Sequence, residues 1–167
     1  MEGKTVKESQ VQLTESMGIE DSNLQGAVHG GVIMKLVDTA GGYAAIKHAG
    51  GSVVTAQIDE MSFLVPVKLG DLVTVKASVN DVGRTSMEVG VRVETENVIT
   101  GARSHTSTAY LVFVALDSSR KPTAVPPLIP ETADEKRRMR EAKLRRDARL
   151  ARRETILEQR RKDPEGS

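Results

Sequence analysis

The sequence predicts an α+β fold in which an antiparallel sheet wraps one long helix, with a separate charged helix after it. Three observations predict this. Residues 32–50 form one apolar-periodic segment, long enough for about five helical turns. Four segments rich in β-branched residues follow it, with only turn residues between them. No helical segment separates those strands, whereas parallel neighbours need a crossover, usually a helix.

Taken in order, VQLTESM (11–17) reads as an opening strand and DSNLQGAVHGG (21–31) as a loop by its Gly, Ser and Asn content. VIMKLVDTAGGYAAIKHAG reads as the helix: Ile33, Leu36, Val37, Ala40 and Ala44 fall at three- and four-residue spacing, and AGG ends it. SVVTAQIDEMSFLV is a long β-rich run closed by Pro66. LVTVKASVNDV alternates at Val73, Val75, Ala77 and Val79, and Gly83 breaks it. TSMEVGVRVETE alternates at Met87, Val89, Val91 and Val93, NVITG is a turn, and ARSHTSTAYLVFVALD is the last strand. KPTAVPPLIPETADE carries four prolines between 122 and 130, which forbid helix and central strand there. Residues 133–162 contain no Gly or Pro and many strong helix formers, with a thin apolar stripe of Met139, Leu144, Leu150, Ile156 and Leu157. That predicts a mostly solvated helix lying on the body or on a neighbouring subunit. The expected division is a body over 1–121, a proline-rich link over 122–132, and a charged helix and tail over 133–167.

Composition narrows the function classes. The chain of 167 residues suffices for one domain with a full core. It has no cysteine, hence no disulfide and no thiolate chemistry. The net charge of +1 hides an asymmetry: residues 1–130 hold 11 Lys/Arg against 14 Asp/Glu, and residues 131–167 hold 13 against 9. The acids of the tail dilute its field and no aromatic there can stack on a base, so no nucleic acid is expected as partner. The first residues show no apolar signal region and no apolar run approaches the roughly 20 residues of a spanning helix. No membrane span and a cytoplasmic location are the expectations. No His/Asp/Glu spacing points to a metal site.

The stretch NLQGAVHGGVIMKLVD carries the chemistry. A helix opening on Gly30 and Gly31 presents backbone N–H donors and partial positive charge with no side chain to shield them, which suits an anion or a carbonyl becoming one. A tight loop with no ligand is the plainer alternative. Asp38 projects away from the core stripe, beside Met34, Gly41, Gly42 and Ala45. Two glycines inside a helix cost about 1 kcal/mol each, tolerable if a second helix or a ligand packs close. An aspartate on such a flank is partly desolvated, which raises a carboxyl pKa and makes a candidate base; a surface aspartate is the alternative. Gly31 and Asp38 lie roughly 10 Å apart along a helix, so one small reacting group does not readily touch both in one chain. A two-fold dimer could bring the acid of one helix to the start of the other.

NLQGAVHGGVIMKLVDTAGGYAA resembles the acyl-CoA thioester hydrolase family of hotdog-fold proteins, and the likeness continues through VVTAQIDEMSFLVPVKLGD, VGRTSMEVGVRVE, TSTAYLVFVALD and VPPLIPETADEKRR. It covers most of residues 10–140. Bacterial members have one hotdog domain and vertebrate cytosolic members two; the tail segment is most similar to the second domain of the latter. The resemblance implies a catalytic pair, Asn23 and Asp38, drawn from opposite subunits or domains. Keeping both, this chain would form a homodimer with two complete sites, and trimers of dimers are common in the family. The family often has phenylalanine where this chain has His29, which the resemblance makes a loop or pocket residue rather than a base. His48 and His105 are expected to be structural or exposed.

The implied mechanism places a thioester carbonyl on the N–H groups of Gly30 and Gly31, with Asn23 orienting carbonyl or water. Asp38 of the other subunit acts as general base or as nucleophile. By the same resemblance the turn holding Arg84, Thr85 and Ser86 lies near the nucleotide of coenzyme A, and Ser62 near its pantetheine arm; Lys68 and the basic tail are weaker candidates. Read alone, VGRTSM is equally a plain hairpin turn. No cofactor is expected, coenzyme A being part of the substrate. Two other classes stand beside the hydrolase: a non-catalytic hotdog that senses acyl-CoA and signals through the basic tail, and a structural oligomer.

Overall fold

The computed structural model describes residues 1–162. Its elements are β1 (Lys4–Thr5), α1 (Val6–Ser9), β2 (Val11–Ser16), a 3-10 turn (Ile19–Asp21), α2 (Gly30–Ala49), β3 (Val53–Phe63), β4 (Leu72–Val82), β5 (Ser86–Glu96), β6 (Arg103–Ala115), β7 (Leu128–Ile129) and α3 (Ala133–Lys162). The main sheet is fully antiparallel, in the order β2-β4-β5-β6-β3. This is the hotdog arrangement: α2 lies along one face of the sheet and α3 crosses the other. The expected strand–helix–strand order holds. β1 and β7, a two-residue parallel pair, were beyond the reach of periodicity.

The core forms where the inward faces of both layers meet. Ile33, Leu36, Val37, Ala40, Ala44 and Ala45 of α2 pack on Val73, Val75, Val89, Val91, Val93, Leu111 and Phe113. Gly41 belongs to this contact. A Cβ there would stand 3.2 Å from the Phe113 ring and 3.6 Å from Val91. Gly41 therefore makes room for the chain's own Phe113. α2 ends on Gly50 in the left-handed region (φ 70°), which glycine adopts without strain.

α3 lies on the body, one of its two expected placements, and most of it is exposed. Of its apolar stripe Met139 packs against the core, while Leu144 is 69% exposed. Three arginines dock the helix instead, each on a buried carboxylate of the sheet's outer face. Arg145 grips Glu88 on β5 at 2.6 Å, Arg146 meets Asp81 on β4 at 3.3 Å, and Arg149 holds Asp59 on β3 at 2.7 Å. Arg145 also lies 3.6 Å above the Tyr110 ring, a cation–π contact. Burial pushes the Asp81 carboxyl up, and Arg146 and Lys143 oppose the shift. Residues 151–162 continue the helix with every residue exposed; residues 163–167 of the expected tail lie outside the described residues.

Candidate active site

Asp38 sits midway along α2, half-buried, on the flank that faces β3. Thr55 of β3 donates its hydroxyl hydrogen to Asp38 Oδ1 at 2.7 Å. The sequence reading missed Thr55 because a threonine in SVVTAQID fits a strand on β-propensity alone. One oxygen of Asp38 is thus held by the sheet, and the helix fixes the backbone beneath it.

Asn23 lies in the loop before α2. Its Oδ1 accepts from the N–H groups of Gln25 at 2.9 Å and Ala27 at 3.1 Å, and its own N–H donates to the Ala27 carbonyl at 2.8 Å. The carboxamide oxygen is used in building the loop, so the amide NH2 is the group turned to other work.

The start of α2 is not bare. His29 is its N-cap, and its Nδ1 accepts from the Gly31 N–H at 2.9 Å. A Cβ on Gly31 would come within 3.0 Å of that nitrogen, so Gly31 makes room for the cap. Gly30 differs. Its N–H makes no bond among the described residues, and a Cβ there would sit at an ordinary 3.6 Å from the Phe63 ring. Of the two expected carbonyl donors, Gly30 is open and Gly31 is engaged by His29, so the side chain before the pair does shield one of them.

The expected coenzyme A residues scatter. Met61 packs on the core and Phe63 lies by Gly30, so Ser62 between them points to the opposite face of the sheet from Asp38. Arg84, Thr85 and Ser86 form the β4–β5 connection at one end of the sheet. The rows Ser86–Val114–Val54 and Met87–Phe113–Thr55 place this turn two strands from Thr55, about 10 Å at ordinary strand spacing. Arg84 is exposed and forms no ion pair among the described residues. Lys68 is exposed, beside the loop that carries Asn23. His48 is fully buried, its Nε2 2.9 Å from the Pro126 carbonyl, and His105 bonds to Ser107 and Thr108 on its own strand. Among the described residues no group of three His, Cys, Asp or Glu side chains could hold a metal, and no helix is long and apolar enough to cross a membrane.

A protein-family model described as the thioesterase superfamily matches residues 25–102. An uncharacterized acyl-CoA thioester hydrolase of Bacillus subtilis is 39% identical over 134 residues, 80% of this chain and 78% of that protein. The chain belongs to the acyl-CoA thioester hydrolase family of the thioesterase superfamily. The cytosolic acyl coenzyme A thioester hydrolase of Rattus norvegicus is 37% identical over 144 residues, 85% of this chain; the match spans only 38% of that longer relative. Among solved structures, a hexameric acyl-CoA thioesterase superposes with a TM-score of 0.88 at 37% identity, over 91% of this chain and 97% of that one. An acyl-CoA hydrolase of Staphylococcus aureus in complex with butyryl coenzyme A and coenzyme A gives 0.86 at 35%, over 93% and 95%. Alanine variants of that hydrolase have also been solved, at one asparagine, one aspartate and one threonine. The aspartate follows the asparagine by fifteen residues and the threonine follows the aspartate by seventeen. Asn23, Asp38 and Thr55 repeat both intervals.

Proposed function

We propose that this chain hydrolyses acyl-CoA thioesters to free coenzyme A and a carboxylic acid, in a homodimer whose sites are shared. The observation that carries the reading is the Asp38–Thr55 hydrogen bond, made by two residues that, with Asn23, repeat the spacing of the three residues replaced in the S. aureus hydrolase.

The chemistry follows from the geometry. Thr55 satisfies Asp38 Oδ1 and leaves Oδ2 to act. Asp38 takes a proton from water whose oxygen attacks the thioester carbonyl carbon, or attacks that carbon itself and forms an anhydride that water then opens. In either route the C–S bond breaks, and the thiolate of coenzyme A leaves and takes up a proton. The Asn23 NH2 and the Gly30 N–H stabilise the negative charge that develops on the carbonyl oxygen. Gly31 joins them only if His29 turns away from the cap. Arg84, with Thr85 and Ser86, takes the phosphates.

The exposed edge supports the dimer. Among the described residues β3 is an eleven-residue edge strand with no partner on its outer side, and Val54, Ile58, Phe63, Leu64 and Val65 are exposed along or just after it. Met34, Tyr43 and Ile46 of α2 are exposed as well. A long apolar edge invites pairing with a second strand. Two-fold pairing of β3 with its copy covers it and sets two α2 helices side by side, so that Asn23 of one chain meets Asp38 of the other. Three such dimers make a hexamer of the size named for the solved thioesterase. The sensor alternative is weaker, because Arg145, Arg146 and Arg149 of the tail are spent on the chain's own carboxylates.

The test is thiol release from acyl-CoAs of chain lengths from acetyl to palmitoyl, with and without chelator. Release from at least one substrate, unchanged by chelator, is expected. No release from any of them removes the hydrolase reading.

A further inference from the structure

We infer that the free end of α3 is a second interface of the dimer, in which residues 150–162 of two chains pack antiparallel across the two-fold axis. The inference rests on the β3 pairing proposed above and not on the hydrolysis. In chain order α3 crosses the outer face of the sheet from one edge to the other. Arg137 and Arg138 stand in a cleft beside Gln12 of β2 and Lys76 of β4. Arg145 follows, on Glu88 of β5 and over Tyr110 of β6, with Arg146 beside it on Asp81 at the end of β4. Arg149 then reaches Asp59 of β3, the edge strand. The helix runs on through residues 151–162, every one of them exposed. At 1.5 Å per residue that stretch is about 18 Å long, and a neighbouring strand takes up about 4.8 Å. α3 therefore overhangs the β3 edge, where the pairing puts the partner's β3.

Symmetry sets how the two ends meet. Both α2 helices lie on one face of the joined sheet, so both α3 helices lie on the other, and the two-fold axis runs through the seam perpendicular to the sheet. Two helices that cross such an axis side by side run antiparallel. Their flanks say which sides touch. At about 100° per residue Leu150, Leu157 and Arg161 share one flank of α3, with Arg153 and Glu154 to either side of the leucines. Leu150 is 54% exposed and Leu157 43%. The opposite flank, Ala148, Arg152, Thr155 and Gln159, carries no large apolar residue. The register that sets Leu150 of one chain on Leu157 of the other gathers Arg153 and Glu154 of both chains at the axis, a cation and an acid from each. It also brings Arg161 opposite Asp147. Apolar contact and charge thus agree on a copy of this helix as the occupant. The sheet beneath suits the same placement. Residues 151–162 hold five Lys/Arg against two Glu. Glu60 of β3, paired with Tyr110 on the α3 face, is exposed and forms no ion pair among the described residues, so each sheet offers an acid to the other chain's excess of cations. A helix end without such contacts is marginal in water.

The chain has no cysteine, so introduced pairs report the contact alone. The experiment oxidises the full-length variant Leu150→Cys/Leu157→Cys and, as the opposite-flank control, Ala148→Cys/Thr155→Cys, and reads covalent dimer on a non-reducing gel. Within one chain each pair stands about 10.5 Å apart along the helix, too far for a disulfide. The first variant should become mostly covalent dimer, and the control about tenfold less. Sedimentation gives the mass of wild type. Amide hydrogen exchange across residues 151–162 is compared between wild type and Leu150→Glu/Leu157→Glu, whose exposed positions leave the fold intact. It should speed about tenfold in the variant and stay near wild type in residues 53–63. A dimeric or larger wild type with no cross-link from the leucine positions, or with the control linked as fully, overturns the inference alone. So does exchange in residues 151–162 that the two glutamates leave unchanged. A monomeric wild type removes the β3 pairing and the inference with it. A wild type that hydrolyses no acyl-CoA removes the hydrolase reading and leaves these readouts to decide the interface.

Discussion

Thr55 Oγ1 and Asp38 Oδ1 stand 2.7 Å apart, and that bond joins the edge strand to the central helix through a single carboxylate. A neutral hydroxyl bonded to a charged acceptor contributes about 1.5–3 kcal/mol, or roughly ten- to a hundredfold in a rate if it is made to the reacting carboxylate. Thr55→Val keeps the shape and removes the donor. It should lower kcat by that factor, while Thr55→Ser keeps most activity. Because Thr55 is exposed, thermal melts of both variants should stay close to wild type. A Thr55→Val enzyme with normal kcat would show that Asp38 needs no such support.

The shared site makes a counting prediction. Asn23→Ala and Asp38→Ala should each fold and each lose most activity. In a mixed dimer of the two, one site keeps both residues and the other keeps neither. Equal amounts with random exchange should therefore regain about a quarter of wild-type activity. Native mass spectrometry verifies the exchange, and no regain after it would place the working pair within one chain.

His48 links stability to pH. Its ring is fully buried and bonds to the Pro126 carbonyl, tying the end of α2 to the proline-rich segment. Burial holds its pKa below the usual 6.5, and the Pro126 carbonyl only partly offsets this. The folded state therefore resists a proton that the unfolded chain accepts. That contribution is fully present above pH 6.5 and is lost as pH falls towards the folded pKa. Urea melts at pH 7.5 and pH 5 should show a larger loss for wild type than for His48→Gln, which keeps a donor and cannot titrate. Equal losses would remove His48 from the pH response.

Gly41 is the point of closest approach between helix and sheet. A Cβ at 3.2 Å from Phe113 forces the ring to shift, and a branched side chain cannot avoid it. Gly41→Val gains a few tenths of a kcal/mol of helix propensity but overpacks the core by about 1–3 kcal/mol. The melting temperature should fall. A rise would mean that the core has slack at Phe113.

These contacts mark where the sequence was readable and where it was not. Alternation at Val73, Val75, Val89, Val91 and Val93 and the three–four spacing of Ile33 to Ala44 sufficed for the succession of elements along the chain and for the body of α2, because periodicity reports which side of one element is buried. Asp38 and Asn23 were legible through a motif. Thr55 was not, since its partner lies on another element. The face that Ser62 takes was not legible, because residue identity alone does not give strand parity, which bulges at Ala56 and Asp59 make harder still. That arginines carry the docking of α3 was invisible for a related reason: arginines on a charged helix read as solvated until three acids, Asp59, Asp81 and Glu88, are found buried opposite them.

That docking predicts an asymmetry between losing one arginine and losing the pair. Arg145 donates to both oxygens of Glu88 through Nε and to one through Nη2, and Asn80 donates to the same carboxylate. Glu88 is only 5% exposed, so Arg145→Met leaves a buried charge with one neutral donor, a loss of about 3–5 kcal/mol. Adding Glu88→Gln removes the charge and keeps an acceptor for Asn80, so the double variant should recover much of the loss. Ending the chain at Pro130 is gentler than its size suggests. It strips the whole helix and lets water reach all three carboxylates, while the core strands, which end at Ala115, keep their pairing. Urea denaturation of the four proteins should rank them wild type, then the double variant, then Arg145→Met, with the truncated chain still cooperative. A single variant no less stable than the double one would show that Glu88 is reached by water and that the helix is held by something other than its arginines.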